Sequence, residues 1–210
     1  MDTSPDAPDK DVSLGSDYKD AKRERRRAEI LDAAATVFAD KGYFAATMQD
    51  VANVLGMRSA SLYYYFDSKE AALEEVCRRG GQEFVQQLRT LMATDRPAIE
   101  IIEDGIRNHL DSRWRDHVAS FVFNRQNLPE GVLAEMDGIA RDYLALWTKV
   151  LQRGQRRNEI AAALDTRVAA GAILAICNNL AVSGNSEKKR GQASVQTVLA
   201  IILDGIRKPG

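Results

Sequence analysis

The sequence predicts an all-α protein of about nine helices, with a three-helix helix-turn-helix unit near the amino end and a larger helical half after it. Apolar residues recur at helical spacing over most of the chain, for example at Ile99, Ile102 and Ile106. No segment alternates apolar and polar residues, and the Asp-Gly pairs at 104 and 204 lie inside helical periodicity. These observations argue against a sheet protein.

Prolines and glycines are predicted to mark several helix ends. Pro97, Pro129 and Asp165 are suited to the start of a helix. Gly42 and Gly154 are each predicted to end one.

The clearest local pattern lies near the amino end. Thr47 and Asp50 fit a capping box that begins a short helix. Gly56 can adopt the left-handed conformation that ends such a helix. A second short helix is then predicted to run to Tyr65 or Phe66. Helix, glycine turn and helix are the signature of a helix-turn-helix, in which the second helix enters the DNA major groove.

This second helix carries the consecutive tyrosines Tyr63, Tyr64 and Tyr65. Neighbours on a helix point about 100° apart, so no single core face can bury all three rings. At least one ring is therefore expected on the surface, where its hydroxyl can donate to a phosphate oxygen. The alternative is that three half-buried aromatics pack a small subdomain. DNA contact is favoured because the same helix carries other groove-type side chains, Arg58, Ser59 and Ser61.

Positive charge lies on both sides of this motif. Lys69 falls in the first turn of the next helix, where a cation opposes the helix dipole unless an anion such as a DNA phosphate lies there. A solvated lysine is the alternative.

Residues 22–27 hold five cations and one anion. Such a run is usually a solvated face, but before a helix-turn-helix it favours phosphate contact. The candidates are Arg25, Arg26 and Arg27.

Between residues 26 and 76 a set of residue types recurs at fixed offsets over three predicted helices, at positions 30–34, Phe38, 42–43, Thr47, 50–52, 55–56, 62–63, Phe66 and 68–70. On these positions the segment resembles the DNA-binding domain of the TetR family of bacterial transcriptional repressors. The likeness implies that Thr47, Tyr63 and Lys69 contact the DNA backbone with the arginine run. It also implies that Arg58, Ser59, Ser61 and Tyr64 are placed to contact base edges. Arg58 and Ala60 depart from the serine cap and the glycine that the family usually has.

The predicted organisation is a disordered acidic arm over residues 1–20, a DNA-binding domain over 21–76 and a ligand-binding and dimerisation domain over 77–210. Residues 1–17 carry five aspartates, one lysine and two prolines, with too few apolar residues to order themselves. The arm either competes with DNA for the basic run or is a passive tail. Gly80-Gly81 interrupts the helix after the DNA-binding domain and is either a hinge or a local kink.

The resemblance implies a homodimer whose last two helices form a four-helix interface, here at about 166–184 and 192–207. The sequence is compatible, because these helices are apolar on more than one face. A symmetric dimer would place two recognition helices about 34–36 Å apart and would require a palindromic operator in double-stranded DNA.

The middle helices of such a regulator would enclose a small-molecule effector. Buried amides and imidazoles need partners, which a ligand, a helix terminus or a dimer contact could supply. Aromatic residues could line the pocket or simply fill the core. From residue 127 onward, the chain carries Leu128-Pro129, Arg141-Asp142-Tyr143, Trp147, Gly154, Ile160 and the closing helix 199–206. On these residues it also resembles TetR-type regulators of fatty-acid, steroid or acyl-thioester catabolism, which makes an acyl-coenzyme A (acyl-CoA) one candidate. The candidate ligand-binding residues are His109, Trp114, His117, Phe121, Asn124, Tyr143, Trp147 and Asn178.

Other classes of protein are disfavoured. There is no catalytic constellation or cofactor motif, and His109 and His117 lack the spacing of a specific metal site, so an enzyme is not expected. Cys77 and Cys177 fit free thiols in a reducing cytoplasm. No run of about 18 apolar residues and no leader is present, so we expect a cytoplasmic protein without a membrane span. The open alternatives are a helical protein-interaction scaffold, a DNA-binding regulator without an effector, and an activator.

Overall fold

The computed structural model describes residues 10–110, 125–183 and 190–208, with the side chains of 18–110, 125–180 and 195–208. Within these ranges the protein has eight α-helices and no β-strand beyond an isolated bridge between Ile160 and Arg207. The all-α prediction is confirmed. The helices are α1 (Lys10–Lys41), α2 (Met48–Val54), α3 (Ser59–Leu62), α4 (Lys69–Met92), α5 (Ala98–His109), α6 (Glu130–Arg156), α7 (Thr166–Ser183) and α8 (Arg190–Ile206), with a 3-10 turn at Arg125–Asn127.

The structure differs from the expected disordered arm at the start of α1. This helix begins at Lys10, so residues 10–20 are helical, while 1–9 lie outside the described ranges. No proline follows Pro8 in this segment, and a helix that is already nucleated extends into adjacent residues at little cost. Side chains 18–25 are exposed, and the first buried one is Ile30. The start of α1 therefore projects beyond the core.

The first core cluster joins α1 to α4. Ile30, Phe38, Val51 and Leu62 are fully buried in it, and Leu73 of α4 is almost fully buried. The turns around α2 use glycines in the left-handed region, with φ of +74° at Gly42 and +62° at Gly56. Both glycines were predicted to end helices, and the structure confirms this.

The second core cluster lies among α4, α5, α6, α7 and α8. Ile101, Ile106, Trp147 and Leu151 are fully buried in it. Helix α6 belongs to both clusters, because Met136 near its start packs into the first. The expected domain boundary between residues 76 and 77 falls inside α4, which also extends from one cluster to the other.

The helices of the second half begin where the sequence predicts. Pro97 and Pro129 are the N-cap residues of α5 and α6. Asp165 accepts hydrogen bonds from the backbone N–H groups of Arg167 and Val168 at 2.9 and 3.0 Å, which caps α7. Helix α6 continues through Gly154, which was expected to end it, to Arg156.

The glycine pair of α4 does not interrupt the helix, and it is packed against a neighbouring helix rather than lying in a surface turn. The helix runs without interruption through both residues, and Gly80 is buried. A Cβ atom on Gly81 would lie 2.9 Å from Cγ2 of Ile139 and 3.2 Å from Cε of Met136. Gly81 therefore allows α4 and α6 to approach each other closely.

Two further predictions concern the cysteines and a membrane span. Cys77 and Cys177 are free, as predicted. Both are buried, and burial raises the pKa of each thiol to about 12. Among the described helices, none combines the length and apolar composition that a bilayer crossing requires.

Candidate DNA-binding surface and regulatory core

Thr47 forms the predicted capping box at the start of α2. Its hydroxyl accepts from the Asp50 N–H at 3.1 Å, and the Asp50 carboxylate accepts from the Thr47 N–H at 2.9 Å. Lys41 also donates to Asp50 at 2.6 Å. The bond from Lys41, followed by those from Thr47, lowers the pKa of Asp50 to about 2. The helix start is thus fixed locally, with Thr47 exposed at the surface.

The second helix of the motif is shorter than predicted. Helix α3 ends at Leu62 rather than at Tyr65 or Phe66. The N–H groups of Tyr65 and Phe66 both donate to the Leu62 carbonyl, at 2.8 and 3.1 Å, which tightens the last turn and ends the helix. Leu62 and Phe66 both enter the core, so Tyr63 to Tyr65 form the turn between them.

The tyrosine turn places two rings in solvent. Tyr63 is 53% exposed and Tyr64 is 68% exposed, whereas Tyr65 is half-buried. The Tyr64 and Tyr65 rings meet edge to face, with centroids 5.2 Å apart. The prediction that at least one ring lies on the surface is confirmed, and the alternative of three half-buried rings is not supported.

The other α3 candidates point outward to different degrees. Arg58 is the N-cap residue of α3 but makes no side-chain capping bond, and it is exposed. Ser61 is exposed and Ser59 is half-buried. Arg58 and Ser61 are therefore free to contact a partner beside Tyr64.

The three arginines of the basic run have different environments. The Arg25 side chain is 85% exposed and lies 3.6 Å from Glu29. Arg26 donates to Glu29 at 2.7 Å and to the sulfur of Met57 at 3.5 Å. Arg27 lies over the Phe66 ring at 5.2 Å, and its buried Nε has no hydrogen-bond partner. The geometry favours Arg25 for phosphate contact, while Arg26 and Arg27 brace α1 against the motif.

Sequence reasoning missed Arg23. Its guanidinium lies 5.4 Å from the centroid of the exposed Tyr64 ring. The spacing could have indicated this, because Arg23 precedes Arg27 by four residues and shares its helix face. Both arginines therefore lie against the segment that follows α3.

Lys69, a predicted phosphate ligand, has hydrogen-bond partners inside the protein. Its ammonium donates to the carbonyls of Tyr43 and Ala46, at 2.8 and 3.0 Å, and lies 4.2 Å from the Tyr43 ring centroid. Two of its three N–H groups are thus used inside the protein. Ser68 caps α4 through its hydroxyl, which accepts from the Ala71 N–H at 3.1 Å. Lys69 therefore connects α4 to the turn before α2, and one N–H group of its ammonium is left for another acceptor.

An ionic network connects α4 to α6 and α1. Arg78 donates to Glu135 of α6 at 2.9 and 3.2 Å and to Glu75 at 2.9 Å. The bond to Arg78 lowers the pKa of Glu135. Glu75 also lies 3.9 Å from Arg27 of α1. No sequence pattern predicted the bonds between helices, since Arg78 and Glu135, like Arg27 and Glu75, are far apart in the chain.

The second half contains a buried polar and aromatic cluster. His109 of α5 is 3% exposed, and its ring stacks on Phe84 of α4 with centroids 4.6 Å apart. Burial lowers the pKa of His109 to about 4, so the ring is neutral at pH 7. Nε2 then donates to the Asn178 side-chain oxygen of α7 at 3.0 Å, and Nδ1 accepts from the Tyr143 hydroxyl of α6 at 3.3 Å.

The cluster unites half of the predicted ligand-binding residues. Trp147 lies against Tyr143 with ring centroids 6.2 Å apart, so His109, Tyr143, Trp147 and Asn178 form one group. His109 and Asn178 form a hydrogen bond with each other, so this contact does not require a ligand. The indole N–H of Trp147 is buried and has no hydrogen-bond partner. The remaining candidates lie outside the described residues: Trp114, His117, Phe121 and Asn124.

Helices α7 and α8 each expose an apolar face. On α7, Val168, Ala172, Ala175 and Ile176 are exposed at helical spacing, and Val168 is 68% exposed. On α8, Ala200 and Ile201 are exposed, and Ile201 is 64% exposed. Contiguous exposed apolar faces of this kind mark protein interfaces.

The chain matches two family models. Residues 30–76 match the tetR family of bacterial regulatory proteins, and residues 95–182 match the tetracyclin repressor-like C-terminal domain. A curated relative is the HTH-type transcriptional repressor KstR2 of Rhodococcus jostii, which is 27% identical over 88% of this chain and 92% of the relative.

Solved structures show the same fold. The ketosteroid transcriptional regulator KstR2 of Mycobacterium tuberculosis is 24% identical, covers 88% of this chain and 96% of its own, and has a TM-score of 0.74. FadR from Bacillus subtilis in complex with stearoyl-CoA is 23% identical over 85% and 98% of the two chains, with a TM-score of 0.65. The two family matches cover the helix-turn-helix and most of the helical second half, and this chain therefore belongs to the TetR family of DNA-binding transcriptional regulators.

Proposed function

We propose that the protein is a homodimeric repressor that binds a palindromic operator and is released by a partly apolar small molecule. The observation that carries the proposal is the solvent-exposed group of Arg58, Ser61, Tyr63 and Tyr64 on a capped helix-turn-helix. A packing motif alone would not place two tyrosine rings and an exposed arginine together in solvent. We infer that residues 21–76 bind DNA and 77–210 bind the ligand and the partner subunit.

We infer two kinds of DNA contact. Arg58, Ser61 and Tyr64, with Ser59 at the edge, contact base edges in the major groove. Thr47, Tyr63 and Arg25 contact the phosphate backbone and set the register. Arg26, Arg27, Tyr65 and Lys69 support this surface from behind, because each has a partner inside the domain.

We infer that the exposed faces of α7 and α8 form the dimer interface, over about residues 166–184 and 192–207. Two copies of the same apolar face can cover each other across a twofold axis. The two recognition helices would then lie about 34–36 Å apart on one side of the duplex.

The buried cluster is our candidate for the point of ligand action. His109 contacts Phe84 of α4 and Asn178 of α7, so one side chain touches the helix that leads to the DNA-binding domain and a helix of the dimer face. A ligand that replaces Asn178 as the partner of His109 would act on both helices. A switch from 1:99 to 99:1 between two states requires about a 10⁴-fold preference of the ligand for one state.

We infer that the ligand is an acyl-CoA or a related catabolic intermediate. The aromatic cluster of Phe84, His109, Tyr143 and Trp147 suits an apolar acyl or ring portion. The structurally similar FadR of Bacillus subtilis was solved in complex with stearoyl-CoA, which supports the same class of ligand. We also infer that the protein has no catalytic activity and acts in the cytoplasm, where its operator would lie.

The first experiment is selection of bound fragments from random or genomic DNA at roughly 150 mM salt, where purely electrostatic binding is suppressed. Recovery of an inverted repeat supports a symmetric dimeric regulator. Recovery of no motif, with binding that disappears as salt rises, contradicts sequence-specific DNA binding and favours a protein-interaction scaffold.

The ligand is tested with the selected operator. Acyl-CoAs of increasing chain length are compared with free coenzyme A and with the free acids, by thermal shift and by operator release. Acyl-CoAs that raise the melting temperature and release the operator support the proposal. If another class of compound does so and acyl-CoAs do not, the acyl-CoA proposal is wrong.

A further inference from the structure

We propose that the exposed start of α1, residues 18–25, is a second DNA-contacting element that binds the phosphate backbone beside the surface of α3. This inference rests on the proposed DNA-binding function and extends it toward the amino end. Residues 18–20 were predicted to belong to the disordered arm, and residues 22–27 to form a basic run that contacts phosphates. Residues 18–25 are named the α1 extension.

The α1 extension forms one wall of an open cleft. The cleft has a volume of about 840 Å³, and the tyrosine turn after α3 forms its other wall. Lys19, Lys22 and Arg23 line it on the helix side, and Tyr64 and Tyr65 line it on the turn side. Charged and hydrogen-bonding side chains of this kind are the ones that contact nucleic-acid backbones.

The cleft is continuous with the surface assigned to base contact. Tyr64 belongs to both, and its exposed ring lies under the Arg23 guanidinium at 5.4 Å. This stacking fixes the position of Arg23 relative to α3. A duplex that contacts Tyr64 would therefore bring its backbone alongside the α1 extension.

The charge of the α1 extension complements DNA. Residues 18–25 contain four cations and two carboxylates, although the whole chain has a net charge of −1. Lys19, Lys22 and Arg23 recur at spacings of three and four, which places them on one helix face. At about 1.5 Å per residue the extension is roughly 12 Å long, which matches about three to four base-pair steps of 3.4 Å.

The extension has no packing role that would explain this composition. All its side chains are exposed, and Tyr18 is 71% exposed. The competing occupant of the cleft is the acidic segment 1–9 of the same chain, which carries Asp2, Asp6 and Asp9. DNA is favoured because the cleft shares Tyr64 with the helix-turn-helix surface.

The test compares two triple variants of the full chain on the selected operator. The first is Lys19→Ala/Lys22→Ala/Arg23→Ala, in which alanine preserves helix propensity. The matched control is Arg141→Ala/Lys149→Ala/Arg156→Ala, which removes the same charge from exposed positions of α6. Affinity is measured at several salt concentrations, and protected nucleotides are mapped with hydroxyl radicals. Circular dichroism and melting temperature check that both variants fold.

We expect the first variant to bind about tenfold or more weakly at roughly 150 mM salt, with a salt slope flatter by about 0.9 for each lost phosphate contact. The protected backbone of each half-site should become shorter. The control should bind within about twofold of the natural chain, because charges far from the duplex are screened.

Three results would overturn the inference. Unchanged affinity and salt slope in the first variant would show that the extension does not touch DNA, while the repressor function stands. Equal losses of operator affinity in both triple variants would show that the overall charge of the protein, and not the α1 extension, determines the affinity. Tighter binding on deletion of residues 1–9, with no effect of the first variant, would assign the cleft to that segment. Failure of the natural chain to select any operator is a different result, and it counts against the proposed function itself.

Discussion

At Arg58 and Tyr63 the structure separates two kinds of exposed side chain. Arg58 stands at the start of α3 without capping it, so its guanidinium is available for bidentate contact with a base. Tyr63 lies just after the helix, half exposed, and offers a single hydroxyl donor. The same surface therefore contains a side chain suited to base contact and one suited to backbone contact.

Arg58→Ala should weaken operator binding by about 1–3 kcal/mol and relax the preference at one base position, because a base contact is lost. Tyr63→Phe removes only a hydroxyl and should weaken binding to all sequences by a similar, smaller amount. Affinities for the operator, its single-base variants and random DNA measure this. Equal losses on specific and random DNA for both variants would contradict the assigned roles.

His109 gives a pH dependence to stability. Its pKa is about 4 in the folded protein against 6.5 in its ordinary state, so below pH 6.5 the unfolded chain takes up a proton that the folded chain does not. The contribution of His109 to the free energy of unfolding is fully present above pH 6.5. It falls as the pH is lowered toward 4, by at most about 1.4 kcal/mol per pH unit. His109→Gln, which does not titrate, should show a shallower loss.

The measurement is urea unfolding of both proteins between about pH 5 and pH 6.5, where most carboxylates remain ionised. Glutamine can still donate to Asn178, so the variant should fold. The interpretation fails if the two proteins lose stability with the same slope across this interval.

At the scale of elements, α4 and α6 are the pair that spans the molecule. Both pass from the first core cluster to the second, and Gly81 sets how closely they approach. The Arg78–Glu135 bonds lie close to this contact in sequence. A movement of α6 in the second core cluster would therefore act on α4 just after residue 76, where the predicted DNA-binding domain ends.

Gly81→Ala should destabilise the protein by about 1–3 kcal/mol, because its Cβ would lie 2.9 Å from Ile139 in a packed core. Gly131→Ala on α6 is the matched control, since nothing lies within 4 Å of its Cβ. That substitution should be neutral or stabilising by up to about 1 kcal/mol, because alanine favours the helix. Chemical unfolding measures both, and similar values for the two would contradict close packing at Gly81.

At the scale of the whole molecule, the apolar faces of α7 and α8 have no partner within the described chain. Val168, Ile176 and Ile201 are exposed there, on helices whose opposite faces pack into the second core cluster. A second copy of the chain is the partner that the proposed repressor supplies.

Ile201→Glu should dissociate the dimer, because a charge would be placed in an apolar interface. Light scattering should show a monomer of 23.2 kDa, and operator affinity should fall by more than about tenfold because two half-sites are no longer bound together. Ala163→Glu, in an exposed turn, is the control and should remain dimeric. A dimer that persists in Ile201→Glu would place the interface elsewhere.

Local chemistry determined the parts of this protein that the sequence predicts correctly. The capping box of Thr47 and Asp50, the glycine turns at Gly42 and Gly56 and the helix starts after Pro97 and Pro129 depend on neighbouring residues, so the sequence alone sets them. The sequence also predicted at least one exposed tyrosine ring from helix geometry. Tyr63 and Tyr64 are exposed, although they lie in the turn after α3 and not in the helix.

Tertiary contacts decided what each charged or polar candidate does. Lys69 and Arg27 are used inside the domain because Tyr43, Ala46 and Phe66 fold against them from other elements. Arg23 meets Tyr64 across about forty residues. The sequence specifies side chains and local helix phase, whereas the partners of a charge depend on which distant elements the core brings together.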